Sequence, residues 1–247
     1  MNAMRVHPKG LPHTAKTANA WSPAWHGLCV LCDSPFPGMV CASLLPPVFR
    51  RSLNVWLPAL VLLASPFLQA FDTVVLDAGH GDFDRGAAIG YVYEKHLALD
   101  TARRVEQLLK KAGLKVIMTR SRDVFIPLPG RASVGNRYGN AIFVSIHYNY
   151  NRGGSGAGVE SYYYHTKGYT LAAYIQAYLV QRTSMINRGV KHASFHVIRE
   201  TTRNPSVLIE CGFVSNSTER ARMMTGEFRN RIAEGIAQGI VSYKKAN

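Results

Sequence analysis

Between residues 73 and 243, short apolar runs rich in β-branched residues alternate with longer stretches of helical period, and this alternation limits the fold more than any other feature. TVVLD (73–77), KVIMT (115–119) and AIFVSIH (141–147) read as buried strands. Leu97, Val105, Leu108, Leu109 and Ala112 recur at helical spacing, and Gly113 stops that helix. A second helix is expected over 131–138. After the Gly-rich stretch 153–158, strands are expected over 159–165, 195–199 and 206–211 (SVLIEC), with helices over 169–183 and 228–243. Strands interleaved with helices imply one α/β domain, a mixed and mostly parallel sheet flanked by helices on both faces. Only Cys211 falls beyond residue 70, so no internal disulfide can form there and the core must stabilise the domain alone.

The first 70 residues have a different character. Residues 1–49, rich in Pro, Ser and His and without sustained periodicity, are expected to be a non-globular extension. Residues 50–70 hold Arg50 and Arg51, an unbroken apolar stretch over 55–64, and small residues up to Ala70, the pattern of a secretory signal. The apolar stretch is shorter than the roughly 20 residues a spanning helix needs. Export to the periplasm or cell envelope is therefore expected, with no stable membrane insertion once the signal is removed. The signal lies far from Met1, so translation is expected to start at Met39. Cys29 and Cys32 have the spacing of half a zinc knuckle, but no second pair follows, so no metal is expected there.

Residues 71–247 form the working domain. With 24 basic and 14 acidic side chains they carry +10 of the chain's net +14. Such charge suits a polyanion: nucleic acid, a membrane surface or an acidic wall polymer. Charge does not choose among them, though no nucleic-acid recognition motif is present and no nucleic-acid partner is expected. At 47% hydrophobic and 18% charged, the composition excludes a disordered or fibrous chain.

Four ionisable residues fall at strand ends or in the loops that follow: His80, Glu94, His147 and Glu210. Active sites of open α/β sheets gather outside the carboxyl ends of the strands. Two imidazoles and one carboxylate would leave a fourth position of tetrahedral Zn²⁺ open, and Glu210 would remain to accept a proton. Each residue also has a plainer reading. His80 could bond only to backbone in its turn, Glu94 could be a helix-start charge, and His147 could be a satisfied core histidine. Glu210 is hardest to dismiss, because VLIEC buries a carboxylate and an unpaired one is costly.

The segments around these residues decide between the readings. LDAGHG (76–81), EKHLALD (94–100), VIMTR (116–120), SIHYN (145–149), NRGVK (187–191) and VLIECGFVSN (207–216) occur in this order. Together they resemble the zinc-dependent N-acetylmuramoyl-L-alanine amidases of the AmiC type, the Amidase_3 family, over about 73–245. The resemblance implies a hydrolase of peptidoglycan that cuts the amide between N-acetylmuramic acid and L-alanine of the stem peptide. It implies a single Zn²⁺ held by His80, Glu94 and His147, with Glu210 as the catalytic glutamate. Asp84, Gly86, Ala87, Arg120, Arg131 and Asn149 match the frame of the pocket; Asn149 and Arg199 are expected to meet substrate, Arg199 beside the developing oxyanion, though Arg199 could equally pair with Glu200 or Asp123. A monomer is expected. Four positions depart from the family pattern: Ala78, Asp82, Cys211 and Tyr148, of which Tyr148 and Asp82 are expected to alter access or substrate preference. His192 and His196 are expected to face solvent. The stretch from His147 to Asn187 is too short for the long inhibitory helix of partner-regulated members, so the cleft is expected to stand open. A zinc endopeptidase or carboxypeptidase and a non-catalytic wall-binding module remain the alternatives.

Overall fold

The computed structural model describes residues 71–247. The expected extension, signal and Cys29/Cys32 pair lie outside the described residues. Six strands form one sheet in the order β4-β1-β5-β8-β6-β7. These are β1 (Thr73–Ala78), β4 (Lys115–Met118), β5 (Ala141–Asn149), β6 (Val159–Tyr163), β7 (Asn187–His192) and β8 (Ser206–Phe213). The first four in that order run parallel, β6 is antiparallel to β8, and β7 is parallel to β6. A small hairpin, β2 (Ala88–Ile89) and β3 (Val92–Tyr93), stands apart.

Helices cover both faces, as the sequence implies. On one side lie α1 (Glu94–Lys111), α3 (Tyr169–Thr183) and α6 (Gly226–Ala246), and on the other α2 (Leu128–Arg137) and the single turn α4 (His196–Arg199). A further short helix, α5 (Ser217–Met223), follows β8 and is capped by the Asn216 side chain, which accepts from the Glu219 amide.

Strand alternation divides the labour. Val74, Leu76, Ile142, Val144, Ile146, Val207 and Ile209 point into the larger core with Val105, Leu109, Ile175, Leu179, Ile232 and Ile236 of the helices. Each such fully buried aliphatic contributes about 1.5–3 kcal/mol. The opposite face carries a smaller cluster of Val75, Phe143, Val197, Ile198 and Leu208. This thinner face leaves room for polar side chains beyond it.

The structure corrects the sequence reading in several places. The strand expected over 195–199 is the turn α4. Val197 and Ile198 are adjacent yet both buried in the same cluster, which a strand would send to opposite faces. β7 was not expected, because NRGVKH at the sheet edge needs no apolar alternation. The strand expected over 159–165 ends at Tyr163 and turns through a short 3-10 helix, Thr166–Gly168. Helix α1 starts at Glu94, ahead of its first apolar residue.

Helices α3 and α6 approach closely where Gly239 faces Ile175: a Cβ at 239 would lie 2.6 Å from the Ile175 Cα. Alanine at 239 gains up to about 1 kcal/mol of helix propensity, but overpacking costs typically about 1–3 kcal/mol. Gly239→Ala should therefore lower the urea midpoint; a raised midpoint would show that the two helices separate freely.

Candidate metal centre

The site lies at the carboxyl end of the parallel strands, on the thinner face. His80 stands two residues beyond β1, His147 and Glu210 are register partners on β5 and β8, and Glu94 opens α1. The three residues expected as ligands converge: their candidate donor atoms all lie within 4.8 Å of one another. Glu94 Oε1 is 3.0 Å from His80 Nε2 and 2.9 Å from His147 Nδ1. The other carboxylate oxygen of Glu94 accepts from the Ala87 amide at 2.8 Å, and Oε1 also accepts from the Tyr148 amide at 3.0 Å. Backbone donors and the first turn of a helix both favour a carboxylate there.

The surroundings fix the imidazoles. Nδ1 of His80 faces the Asp84 carboxylate at 2.9 Å, which leaves Nε2 directed at Glu94. A partner on the second ring nitrogen sets the orientation of a metal-binding histidine. His80 itself is held at φ 59, a left-handed conformation that non-glycine residues rarely adopt. Two glycines make the space. At Gly79 a Cβ would lie 2.4 Å from the His147 ring, and at Gly86, with φ +64, it would lie 2.5 Å from Glu94 Oε2. Two ring nitrogens and one carboxylate oxygen, cradled in this way, form a donor set that fits a metal ion.

Electrostatics separate the two glutamates. Burial raises the Glu94 pKa, but His147 and His80 outweigh it and hold the carboxyl far below its usual range. Burial depresses His80, and the Glu94 and Asp84 carboxylates more than reverse this. Glu210 shows the opposite balance. Burial, reinforced by Glu94 and Glu160, pushes its carboxyl well above the usual range. Its Oε2 is buried and has no hydrogen-bond partner among the described residues.

Glu160, absent from the sequence reading, explains that isolation. It is the register partner of Glu210 on β6 and is 2% exposed. It accepts from Asn149 Nδ2, Tyr162 OH and Arg188 Nε at 2.7 Å each, and from Lys191 Nζ. The nearby cations are thereby taken, and Glu210 stays without one. The clue was available: a carboxylate inside the buried run GVESYY has the same signature as the one in VLIEC.

Other expectations fare differently. Asn149 donates to Glu160 and accepts from the Tyr150 amide, so both ends of its carboxamide serve the frame. The Arg199 guanidinium pairs with Glu200 at 2.8 Å and reaches Ser194, which turns it to its own helix rather than to the triad. Tyr148, expected to alter access, points into the core instead: it is 1% exposed and shares a 2.6 Å hydrogen bond with Thr101, because alternation sends it opposite His147. His192 is exposed, as expected. His196, expected to face solvent, is half-buried and lines the cleft over the triad, with Nε2 unpartnered among the described residues. That cleft, of about 400 Å³, has apolar walls including Phe125, Leu128, Phe195 and Leu208.

A family model described as N-acetylmuramoyl-L-alanine amidase, Amidase_3, matches residues 74–242. The chain belongs to this family. It is 35% identical over 176 residues to the N-acetylmuramoyl-L-alanine amidase LytC of Bacillus subtilis (strain 168), a match covering 70% of this chain and 35% of LytC. The chain thus spans about a third of that relative's length. Among solved structures, the catalytic domain of the amidase CwlV from Bacillus (Paenibacillus) polymyxa var. colistinus superposes with TM-score 0.67 at 39% identity, over 72% of this chain and 100% of that one. The amidase AmiC2 of Nostoc punctiforme does so with TM-score 0.67 at 37% identity, over 70% and 97%. The α/β fold and the amidase kinship of the Amidase_3 match agree with the sequence reading.

The loop bearing His80 hangs on Asp77. This carboxylate is fully buried and accepts from Arg131 Nη1 at 2.8 Å, and from Thr119 and Ser145 at 2.7 Å each. Burial raises its pKa, but Arg131 and the two hydroxyls bring it below the ordinary value. Its stabilising contribution is therefore complete above about pH 4 and lost as pH falls through the lower folded value. Asp77→Asn should cost about 3–5 kcal/mol in urea unfolding at neutral pH and remove that part of the acid sensitivity. An unchanged midpoint would mean that Arg131 finds another partner.

Proposed function

We propose that the chain is a zinc-dependent N-acetylmuramoyl-L-alanine amidase, hydrolysing the amide that joins the muramic acid lactyl group to L-alanine in peptidoglycan. The observation that carries this is the convergence of His80, Glu94 and His147 on one point beside Glu210, whose Oε2 is buried and unpartnered among the described residues. Two imidazoles with one carboxylate are a set that suits Zn²⁺ and leaves a coordination position free. When bound, the ion would supply Lewis acidity, lowering the pKa of a bound water to about 7 and polarising the amide carbonyl.

The chain's own groups do the rest. Glu94 and the two imidazoles would hold the ion, and Asp84 orients His80. Glu210 Oε2 accepts a proton from the water that attacks the carbonyl carbon. The same oxygen then delivers that proton to the amide nitrogen, so the C–N bond breaks with an amine as leaving group. A carboxyl whose pKa is raised is suited to both halves of that transfer. The apolar walls of the cleft exclude water from the remaining surface of the bond. Export to the cell envelope follows as part of the same proposal, from the signal-like residues 50–70 and the location of the substrate. No helix among the described residues is long and apolar enough to cross a membrane.

Glu210→Gln should keep its zinc, measured by atomic absorption, while hydrolysis falls about 10²–10⁴-fold; near-native turnover would remove Glu210 from the mechanism. His80→Ala and His147→Ala should lose metal and activity together. Digested sacculi, analysed by mass spectrometry with and without a chelator, should yield peptides beginning with free L-alanine and bare glycan strands. Cleavage within the stem peptide would establish an endopeptidase or carboxypeptidase instead, and no cleavage at all a binding module.

A further inference from the structure

At the site end of the sheet several cations are answered by carboxylates, Lys95 by Asp123, Arg131 by Asp77, and Arg188 and Lys191 by Glu160, while Arg85, Arg122 and Arg152 are exposed there without one among the described residues. The opposite end, where β1, β4, β5 and β8 begin, is different. Lys111, Lys115, Arg137, Lys167, Arg203 and Lys245 are all exposed there. None has a carboxylate partner among the described residues. The acids nearby are few: Asp72 accepts from the Thr73 hydroxyl, Glu106 pairs with Lys110, Glu200 pairs with Arg199, and Glu234 lines the same groove as Lys245.

These cations sit on a built surface. The Asp72 amide donates to Asn140 O at 3.3 Å, and the Lys115 amide to Asp72 O at 3.0 Å. Asn204 Nδ2 donates to Tyr138 O at 2.8 Å, the Arg203 amide to Asn136 Oδ1 at 3.0 Å, and Lys167 to Thr202 O. The end of α6 joins them, since Tyr243 stacks on Phe71 at 5.7 Å and Lys244 lies over the same ring. Loops from four strands therefore present one broad array of unneutralised charge.

We infer that this face docks on anionic lipid headgroups and holds the metal-centre end of the sheet away from the bilayer. Charge spread over several fixed loops matches a flat anionic surface. A surface that gathered an anionic wall polymer for hydrolysis would lie beside His80 and His147, where Lys95, Arg131, Arg188 and Lys191 are bound to carboxylates. The chain also enters the domain at Phe71, on this same face, and residues 65–70 alone separate it from the apolar run 55–64. From Ala141 to His147 the sheet sets the metal centre roughly 20 Å off that face, at about 3.3 Å per residue. Each Lys or Arg near an anionic membrane strengthens partitioning about fivefold.

The test is sedimentation of the full chain with phosphatidylcholine vesicles, with and without phosphatidylglycerol. The pair Lys115→Gln and Arg203→Gln should weaken phosphatidylglycerol-dependent binding about 25-fold. The pair Arg122→Gln and Arg152→Gln, exposed at the site end, makes the same change of charge and should leave binding within about twofold. Added salt should release the wild type, and unchanged melting temperatures would show both pairs folded. Equal loss in both pairs, binding that ignores phosphatidylglycerol, or binding to soluble poly(glycerol phosphate) without binding to vesicles would each overturn the inference. Hydrolysis of soluble peptidoglycan fragments should be the same in both pairs, so a failure of the proposed activity would be distinguished from a failure of docking.

Discussion

The buried ion pair between Asp77 and Arg131 is what the rest of the site depends on. A carboxylate without solvent is tolerable only if its lone pairs are met, and the donors that meet this one come from the residue after β4, from the middle of β5 and from α2. Arg131 then extends the order outward, donating to Ala78 O and His80 O. Arg120 runs alongside, donating to Ala78 O, Gly79 O and Lys95 O. Burial, with Arg131 adding to it, brings the Arg120 pKa down to about 10, still high enough to keep the charge at neutral pH. The strained backbone at His80 persists because two guanidinium groups grip the carbonyls on either side of it.

A second division of labour separates the carboxylates. Three glutamates crowd the carboxyl ends of β5 and β8 and the amino end of the antiparallel β6, and each is given a different set of neighbours. Glu94 has imidazoles, Glu160 has cations and a phenol, and Glu210 has neither. Their proximity alone would make all three hard to ionise. By satisfying two of them fully, the fold concentrates the proton affinity of the group on the third.

Much of this was legible in the chain. The β-branched runs marked β1, β4, β5 and β8, whose apolar positions are nearly continuous. The ordered motifs pointed to His80, Glu94, His147 and Glu210, and Arg120 and Arg131 stood out as part of their frame. What escaped was set by long-range structure. β7 owes its existence to a free sheet edge rather than to its own pattern, and α4 was hidden because two adjacent apolar residues read equally well as strand. Asp77 looked like an ordinary strand residue until its donors, 42–68 residues away in sequence, came together, and the partners of Glu160, 2–31 residues away, were likewise set only by the fold. For Arg199 the sequence offered two acids as well as the substrate, and it pairs with one of them, Glu200.

Because odd and even positions of β5 and β8 serve opposite ends of the design, packing on one side and chemistry on the other, these strands can accept replacement but not a change of length. One inserted or deleted residue upstream of His147 would turn the imidazole into the aliphatic interior and rotate Tyr148 out over the ion. Sequence drift along these two segments is therefore confined to exchanges within each parity class, and indels should be relegated to the connecting loops.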